Sequence, residues 1–469
     1  MRFVTTKSVQ PFDKLGAVPG AVEGQTPGVS FSFALFEGIA PDGGLYVPES
    51  IPPWAPHDLA RLTPLRGSQG MTLAEVGACV LQPFVDELDA DALLAIAEQA
   101  LAFPIPLVEV EPGVYALELF HGPTLAFKDV GARVMARLMA ALFRGDHPLT
   151  ILVATSGDTG SAVAHAFHDV PHTRVAILYP KGRVSPTQEA QLTMFNGEAT
   201  NVRAYAAAGS FDDCQRLTKA AFADPVLSRR ANLTSANSIN IGRLLPQMIY
   251  YAHAVGQLAG VRVAQNAGAT DGNGVALDAG PAVFSTPSGN FGNLTAGLMA
   301  KRAGLDIRQF VAATNVNDVV PEYLVTGRFK PRPSVHTLAN AMDVGNPSNF
   351  DRLMWLYGGD LDAIRRDVAG SRHDDNEVRA TIQKVYEERG YLLDPHSAIA
   401  YLGIAGSGVS RTSPGVFLAT AHPAKFAEVV EPVIGCTIPK PQPLLDALAV
   451  KRKILEIDVT LEAVNKVLG

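Results

Sequence analysis

Lys128 closes the stretch Glu118-Leu119-Phe120-His121-Gly122-Pro123-Thr124-Leu125-Ala126-Phe127-Lys128-Asp129, so its amine follows three apolar residues, Leu125, Ala126 and Phe127. Apolar surroundings disfavour an ammonium ion, which lowers the amine's pKa and makes it a better nucleophile at neutral pH. Such an amine suits a Schiff base with an aldehyde cofactor. The bland alternative is a helix-end lysine whose head reaches solvent, and the rest of the chain decides between them. Nucleotide chemistry does not fit. A phosphate loop counted from Gly122 would need glycine where Phe127 stands and a hydroxyl residue where Asp129 stands. No Gly-x-Gly-x-x-Gly run follows a predicted strand, which argues against a dinucleotide.

Four further segments carry possible chemistry. Thr155-Ser156-Gly157-Asp158-Thr159-Gly160-Ser161 follows a predicted strand and enters a predicted helix. Its small residues and helix-start amides could receive a carboxylate or phosphate, or simply cap the helix. Ser288-Gly289-Asn290-Phe291-Gly292-Asn293 has the same placement, and its two glycines let the backbone close around a phosphate without a basic side chain. It could equally be a turn capped by Asn293. Thr420, at the end of the last strong strand, would offer a neutral hydroxyl to a pyridine nitrogen, which suits elimination and replacement better than transamination. Asn237, Ser238, Asn240 and Arg243 gather donors at another helix start, and Arg243 has the planar fork that suits a second phosphate. Taken alone, that arginine would be a solvated surface charge.

The elements that must hold these residues alternate. Residues 114–120, 150–154, 175–179, 202–206, 282–286, 308–314 and 416–420 read as strands, with helical patterns between most of them. Helices are expected over 73–88, 162–167, 244–258 and 294–303. The pattern predicts an α/β fold of open, twisted, mostly parallel sheets flanked by helices, in which ligands bind beyond the carboxyl ends of strands. Residues 1–100, rich in Pro and Gly, form a smaller N-terminal domain. Residues 101–149 and 236–469 form the large domain, and 150–235 a small α/β domain. Residues 259–280 read as a surface insertion.

A chain of 469 residues has room for two or three domains, and 47% hydrophobic with 18% charged residues describes a globular protein. A net charge of −7 argues against a nucleic-acid partner. No run is long and apolar enough for a bilayer, and residues 1–14 carry no secretory pattern. Cys79, Cys214 and Cys436 fit neither a disulfide framework nor a metal site, which points to the cytoplasm. His165, His168 and His172 lack a metal-ligand pattern because Pro171 interrupts them, so no metal is expected. Asp212 and Asp213 follow Ser210 as helix-start residues, and Asp394-Pro395-His396 reads as another helix start.

Taken together, these segments resemble the threonine synthases, pyridoxal-phosphate enzymes of fold-type II (tryptophan synthase β-like). The matching stretches run in order over nearly the whole chain: residues 40–48, 121–129, 154–161, 209–215, 237–247, 288–293, 312–321, 340–350, 394–398 and 419–426. The sequence departs from the family at Thr5-Thr6-Lys7-Ser8, where members often have Ser-Thr-Arg-Gly, and at Asn293, where many have Asp. The resemblance implies pyridoxal 5'-phosphate as cofactor and Lys128 as its Schiff-base and catalytic residue. Phe127, Ser288, Gly289, Asn290, Phe291, Gly292, Asn293 and Thr420 would contact the cofactor. Ser156, Gly157, Asp158, Thr159, Asn237, Ser238, Asn240 and Arg243 would bind O-phospho-L-homoserine. The implied reaction yields L-threonine and phosphate, the last step of threonine biosynthesis. The alternatives on the same scaffold are an O-phosphohomoserine phospho-lyase giving 2-oxobutyrate, or another fold-type II amino-acid lyase. Monomer and homodimer both remain open.

Overall fold

The computed structural model describes residues 1–8, 28–62, 70–155, 157–197, 200–266, 280–407 and 413–468. In chain order the strands are β1 (Phe3–Thr5), β2 (Tyr46–Pro48), β3 (Leu107–Glu111), β4 (Val114–Glu118), β5 (Leu149–Ala154), β6 (Thr173–Pro180) and β7 (Val202–Ala207). They continue as β8 (Leu233–Thr234), β9 (Ala282–Pro287), β10 (Ile307–Thr314), β11 (Val368–Arg372), β12 (Gly415–Ala419) and β13 (Leu455–Ile457). β1 and β2 pair with each other. A six-stranded sheet runs β11-β10-β9-β12-β4-β3, and a five-stranded sheet runs β13-β7-β6-β5-β8. All pairings in the two large sheets are parallel except the β3–β4 hairpin.

Helices cover the sheets on both faces, which is why β5 and β9 are buried along their whole length and read as apolar runs without alternation. The helix Lys128–Leu142 buries Val130, Val134, Met135, Leu138, Met139 and Leu142, which recur at helical spacing. It packs against the helix Asp158–Phe167 of the small domain, so one apolar core links the two large sheets.

The structure corrects several expectations. The helix expected over 73–88 is Leu73–Leu81, because Pro83 cannot continue it. The helix expected over 244–258 begins at Ile241, tightens to a 3₁₀ turn over Leu245–Gln247, and resumes as Met248–Asn266. Pro246 at the junction has no N–H to give an α-helical bond. The same helix enters the stretch taken as an insertion, since Val261 to Gln265 hold neither Gly nor Pro to stop it. Residues 267–279 of that stretch lie outside the described residues. Finally, the chain's end joins the five-stranded sheet. β13 pairs with β7, and Ile457, Val464 and Leu468 join the small-sheet core. An edge strand next to an open apolar surface is thereby covered on both counts.

Candidate active site

Backbone pairing places Lys128 at the carboxyl ends of the large sheet. Beyond β4 and β12, residues 125–127 run antiparallel to 420–422. Phe127 N donates to Thr420 O at 2.8 Å, His422 N donates to Leu125 O at 3.0 Å, and Ala126 bridges Ala421. Leu125 takes a positive φ of 58°, which turns the chain from this strip into the helix that Lys128 begins. The turn is held from inside by Asp129. Its carboxylate accepts from Thr124 N at 2.8 Å and Thr124 Oγ1 at 2.7 Å. A side chain at Gly122 would strike that carboxylate, at 2.5 Å. Thr420 is thus tied through its backbone carbonyl to Phe127, the residue before the lysine.

The Lys128 side chain is 14% exposed, and its nearest charged partner is Asp158 Oδ2 at 3.8 Å. Its pKa is lowered, first by burial; Asp158 opposes that shift, while Lys425 and Arg243 add to it. The desolvated amine inferred from Leu125, Ala126 and Phe127 is therefore present. The Phe127 ring centroid lies 5.1 Å from the amine.

The Ser288–Asn293 segment forms a loop between β9 and the next helix. β9 ends on Pro287, Phe291 takes a left-handed φ of 61°, and the helix Gly292–Arg302 begins. Among the described residues, none of the backbone N–H groups of Gly289 to Asn293 meets a protein acceptor. Five successive free amides at a helix start fit the phosphate of pyridoxal phosphate. The polar side chains of this loop serve to hold its shape. Ser288 Oγ donates to Thr286 O (2.9 Å), and Asn293 Nδ2 donates to Pro287 O (2.9 Å). Asn290 Nδ2 reaches Ser238 Oγ (3.2 Å), and Asn290 Oδ1 accepts from Ser348 N (2.8 Å).

The other two loops meet the same space differently. Gly157 sits at φ 143°, and a Cβ there would lie 2.6 Å from the Gln188 side chain. Thr155 Oγ1 accepts from the N–H of Gly157 (3.0 Å) and of Gly160 (2.9 Å), which fixes the helix start carrying Asp158 and Thr159. Ser156 lies outside the described residues. Asp158 turns its carboxylate toward two lysines, Lys128 and Lys425, instead of leaving it open to a ligand. Burial works to raise its pKa, but Lys425 and then Lys128 outweigh this and hold the group well below the usual carboxylate range.

Asn240 is a correction to the expected ligand set. Its Nδ2 donates to Leu35 O and Ser235 O (2.8 and 2.9 Å), and its Oδ1 accepts from Gly242 N (2.8 Å). Both of its donors are committed to the chain, so it is a helix cap. Asn237 is half-buried, with its side chain uncommitted among the described residues. Arg243 is 5% exposed; Nη1 donates to Ala236 O at 2.6 Å, and Nε is buried without a partner. No carboxylate forms an ion pair with it among the described residues, and burial lowers its pKa to about 10. An unpaired buried guanidinium fits an incoming anion.

Four further residues to which the sequence reading gave no role lie near these loops. Lys425 is wholly buried against Asp158. Asp394 caps its helix and also accepts from His396, 2.6 Å between Oδ2 and Nδ1, within the electrostatic reach of Lys128. Arg352, also wholly buried, donates to Tyr46 O, Ser238 O, Ile239 O and Asn349 Oδ1, and Asn349 Nδ2 in turn reaches Asn290 O. That chain of bonds joins the Ser288–Asn293 loop to the segment that begins at Asn237. Asp394, Asn349 and Lys425 lay within stretches that resemble the family, and Asp394 also reads as a helix start; Arg352 had no signal in the sequence.

Among the described residues no helix is long and apolar enough to cross a membrane, and no group of His, Cys, Asp or Glu could hold a metal ion. Residues 100–420 match the family described as pyridoxal-phosphate dependent enzyme. Residues 22–101 match the threonine synthase N terminus, and 398–468 the threonine synthase C-terminal family. The chain is 45% identical over 420 residues to threonine synthase of Haemophilus influenzae, covering 89% of this chain and 91% of that one. The crystal structure of threonine synthase from Escherichia coli is similar over 100% of this chain and 99% of that chain, with TM-score 0.84 and 38% identity. The pyridoxal-phosphate-bound threonine synthase from Brucella melitensis is similar over 100% and 98%, with TM-score 0.85 and 36% identity.

Proposed function

This chain belongs to the threonine synthase family of pyridoxal-phosphate-dependent enzymes, and from that premise we propose how its residues divide the work. It converts O-phospho-L-homoserine and water to L-threonine and phosphate. When bound, pyridoxal 5'-phosphate supplies the electron sink that makes the carbon atoms near the substrate amine acidic.

Lys128 would carry the cofactor and would move protons between substrate carbons as general base and acid. Its lowered pKa suits both tasks, because burial disfavours the ammonium form of the amine. The free amides of Gly289 to Asn293 would hold the cofactor phosphate. Thr420 would offer its hydroxyl to the ring nitrogen, and Phe127 would contact the ring. Arg243, Asn237 and the helix start at Thr159 receive the substrate's two anionic ends. Ser238, bonded to Asn290, ties that pocket to the Ser288–Asn293 loop. The observation that carries this reading is the desolvated Lys128 amine, in a chain that also offers a row of unpaired amides at Gly289 to Asn293.

Its test is product analysis. The purified protein with O-phosphohomoserine should release phosphate and threonine in equal amounts, and Lys128→Ala should release neither. Phosphate with 2-oxobutyrate and ammonia, without threonine, would favour the phospho-lyase. The small substrate is the partner we assign, and the acidic balance of the chain argues against nucleic acid. The three unpaired cysteines support a cytoplasmic location. Sedimentation distinguishes monomer from homodimer.

A further inference from the structure

Asp158 is the one carboxylate in ion-pair contact with Lys128 among the described residues, and it is shared. Its Oδ1 lies 2.9 Å from Lys425 Nζ and accepts from Gln188 Nε2 at 3.2 Å. Its Oδ2 faces Lys128 Nζ at 3.8 Å, beyond hydrogen-bond distance. Lys425 Nζ also donates to Thr124 O at 2.7 Å, so it clamps Asp158 to the turn that introduces Lys128. Lys425 has no exposed surface. A buried ion pair is a poor way to gain stability, since desolvating the charges offsets most of their attraction. That directs attention to what the pair does for its neighbour.

We propose that Lys425 is a positioning residue for the reaction: by holding Asp158 Oδ1 and Thr124 O together, it keeps the carboxylate from closing on Lys128 and leaves that amine free to take the cofactor. The inference rests on Lys128 being the cofactor-bearing amine. The charged groups acting on Lys128 are Asp158, Lys425, Arg243 and Asp394, and His396 acts on Asp158. Removing the Lys425 charge takes away a neighbouring cation and releases Asp158. Both changes favour the ammonium form of Lys128. Capture needs the neutral amine: its lone pair attacks the aldehyde carbon, a C–N bond forms, and one water leaves.

The experiment follows capture of pyridoxal 5'-phosphate by absorbance, using the full-length protein stripped of cofactor, across roughly pH 6 to 10. The capture rate should rise through a midpoint set by Lys128. In Lys425→Met that midpoint should move to higher pH, and each unit of movement costs about ten-fold in rate below it. Adding Asp158→Asn to that variant should bring the midpoint down again, below that of the wild type, because Asp158 is the stronger of the two influences on Lys128. If Lys425→Met does not fold, the double variant, neutral at both positions, carries the test against the wild type. An unmoved midpoint in the single variant, or a double-variant midpoint at or above the wild type, makes Lys425 purely structural and overturns the proposal. Lys128→Ala separates the two layers of the argument. If it captures cofactor as the wild type does, the assignment of Lys128 fails; if it captures none while the Lys425 variants leave the midpoint in place, only the present inference fails.

Discussion

Arg243 and Asp129 show what single side chains contribute here. Arg243 is buried with Nε unpaired, so an anion that reaches it would gain a charge-assisted contact at little reorganisation cost. Arg243→Ala should lower kcat/KM about 30- to 1000-fold, from a loss of about 2–4 kcal/mol typical of truncating one member of a buried charge pair. The cofactor band should survive, because the Ser288–Asn293 cradle is separate. Steady-state kinetics with absorbance spectra check both halves, and near-wild-type efficiency would return Arg243 to a packing role. Asp129 is raised to about 6, first by burial, against the donations from Thr124. A carboxyl raised in the folded state favours folding most below its unfolded pKa, and that contribution is lost as pH rises through about 6. Asp129→Asn should therefore gain stability relative to the wild type between about pH 4 and 7, by up to roughly 3 kcal/mol. Urea unfolding at several pH values measures this; parallel stability curves would contradict it. At this scale Lys128 was legible, because its apolar neighbours are adjacent in sequence. Lys425 was not, because a lysine in a short turn reads as solvated until Asp158 is folded against it.

The elements place these groups by their ends. Five of the candidate segments sit just past strand termini, and the two glycine loops were readable because small residues between an apolar run and a helix pattern have few other uses. Gly157 is the sharpest case. Its φ of 143° and the 2.6 Å approach of a Cβ to Gln188 leave no room for a side chain. Gly157→Ala should cost about 1–3 kcal/mol and displace the helix start that carries Asp158. Thermal unfolding together with cofactor-capture rates checks this, and an unchanged protein would show that the loop relaxes freely. The strands of the two sheet centres were legible from their apolar runs. β11 and β13 were not: Val-Ala-Gly-Ser-Arg and Leu-Glu-Ile are short edge strands whose pairing comes from β10 and β7 and not from their own pattern.

Across the whole molecule, the two large sheets share one apolar core, with the helix Lys128–Leu142 lying between them. The mostly parallel architecture followed from alternating strand and helix patterns. The pairing of the chain's end with β7 did not, because a strand that crosses back to another sheet leaves no mark in composition. That crossing has a consequence. Ending the chain at Val450 would uncover the edge of β7 and remove Ile457, Val464 and Leu468 from the small-sheet core. The loss should be roughly 5 kcal/mol or more, from burial of about 1.5–3 kcal/mol per large apolar side chain. Lower thermal stability with aggregation by light scattering is the expected outcome; a fully stable, monodisperse truncated protein would contradict it.

The central claim is that the Lys128 amine, and not its buried neighbour Lys425, bears the cofactor. Borohydride reduction of the holoenzyme fixes the cofactor to whichever lysine holds it, and peptide mass spectrometry then locates the label. The account predicts a single phosphopyridoxyl group on the peptide containing Lys128. A label on Lys425, or on any other lysine, would contradict it.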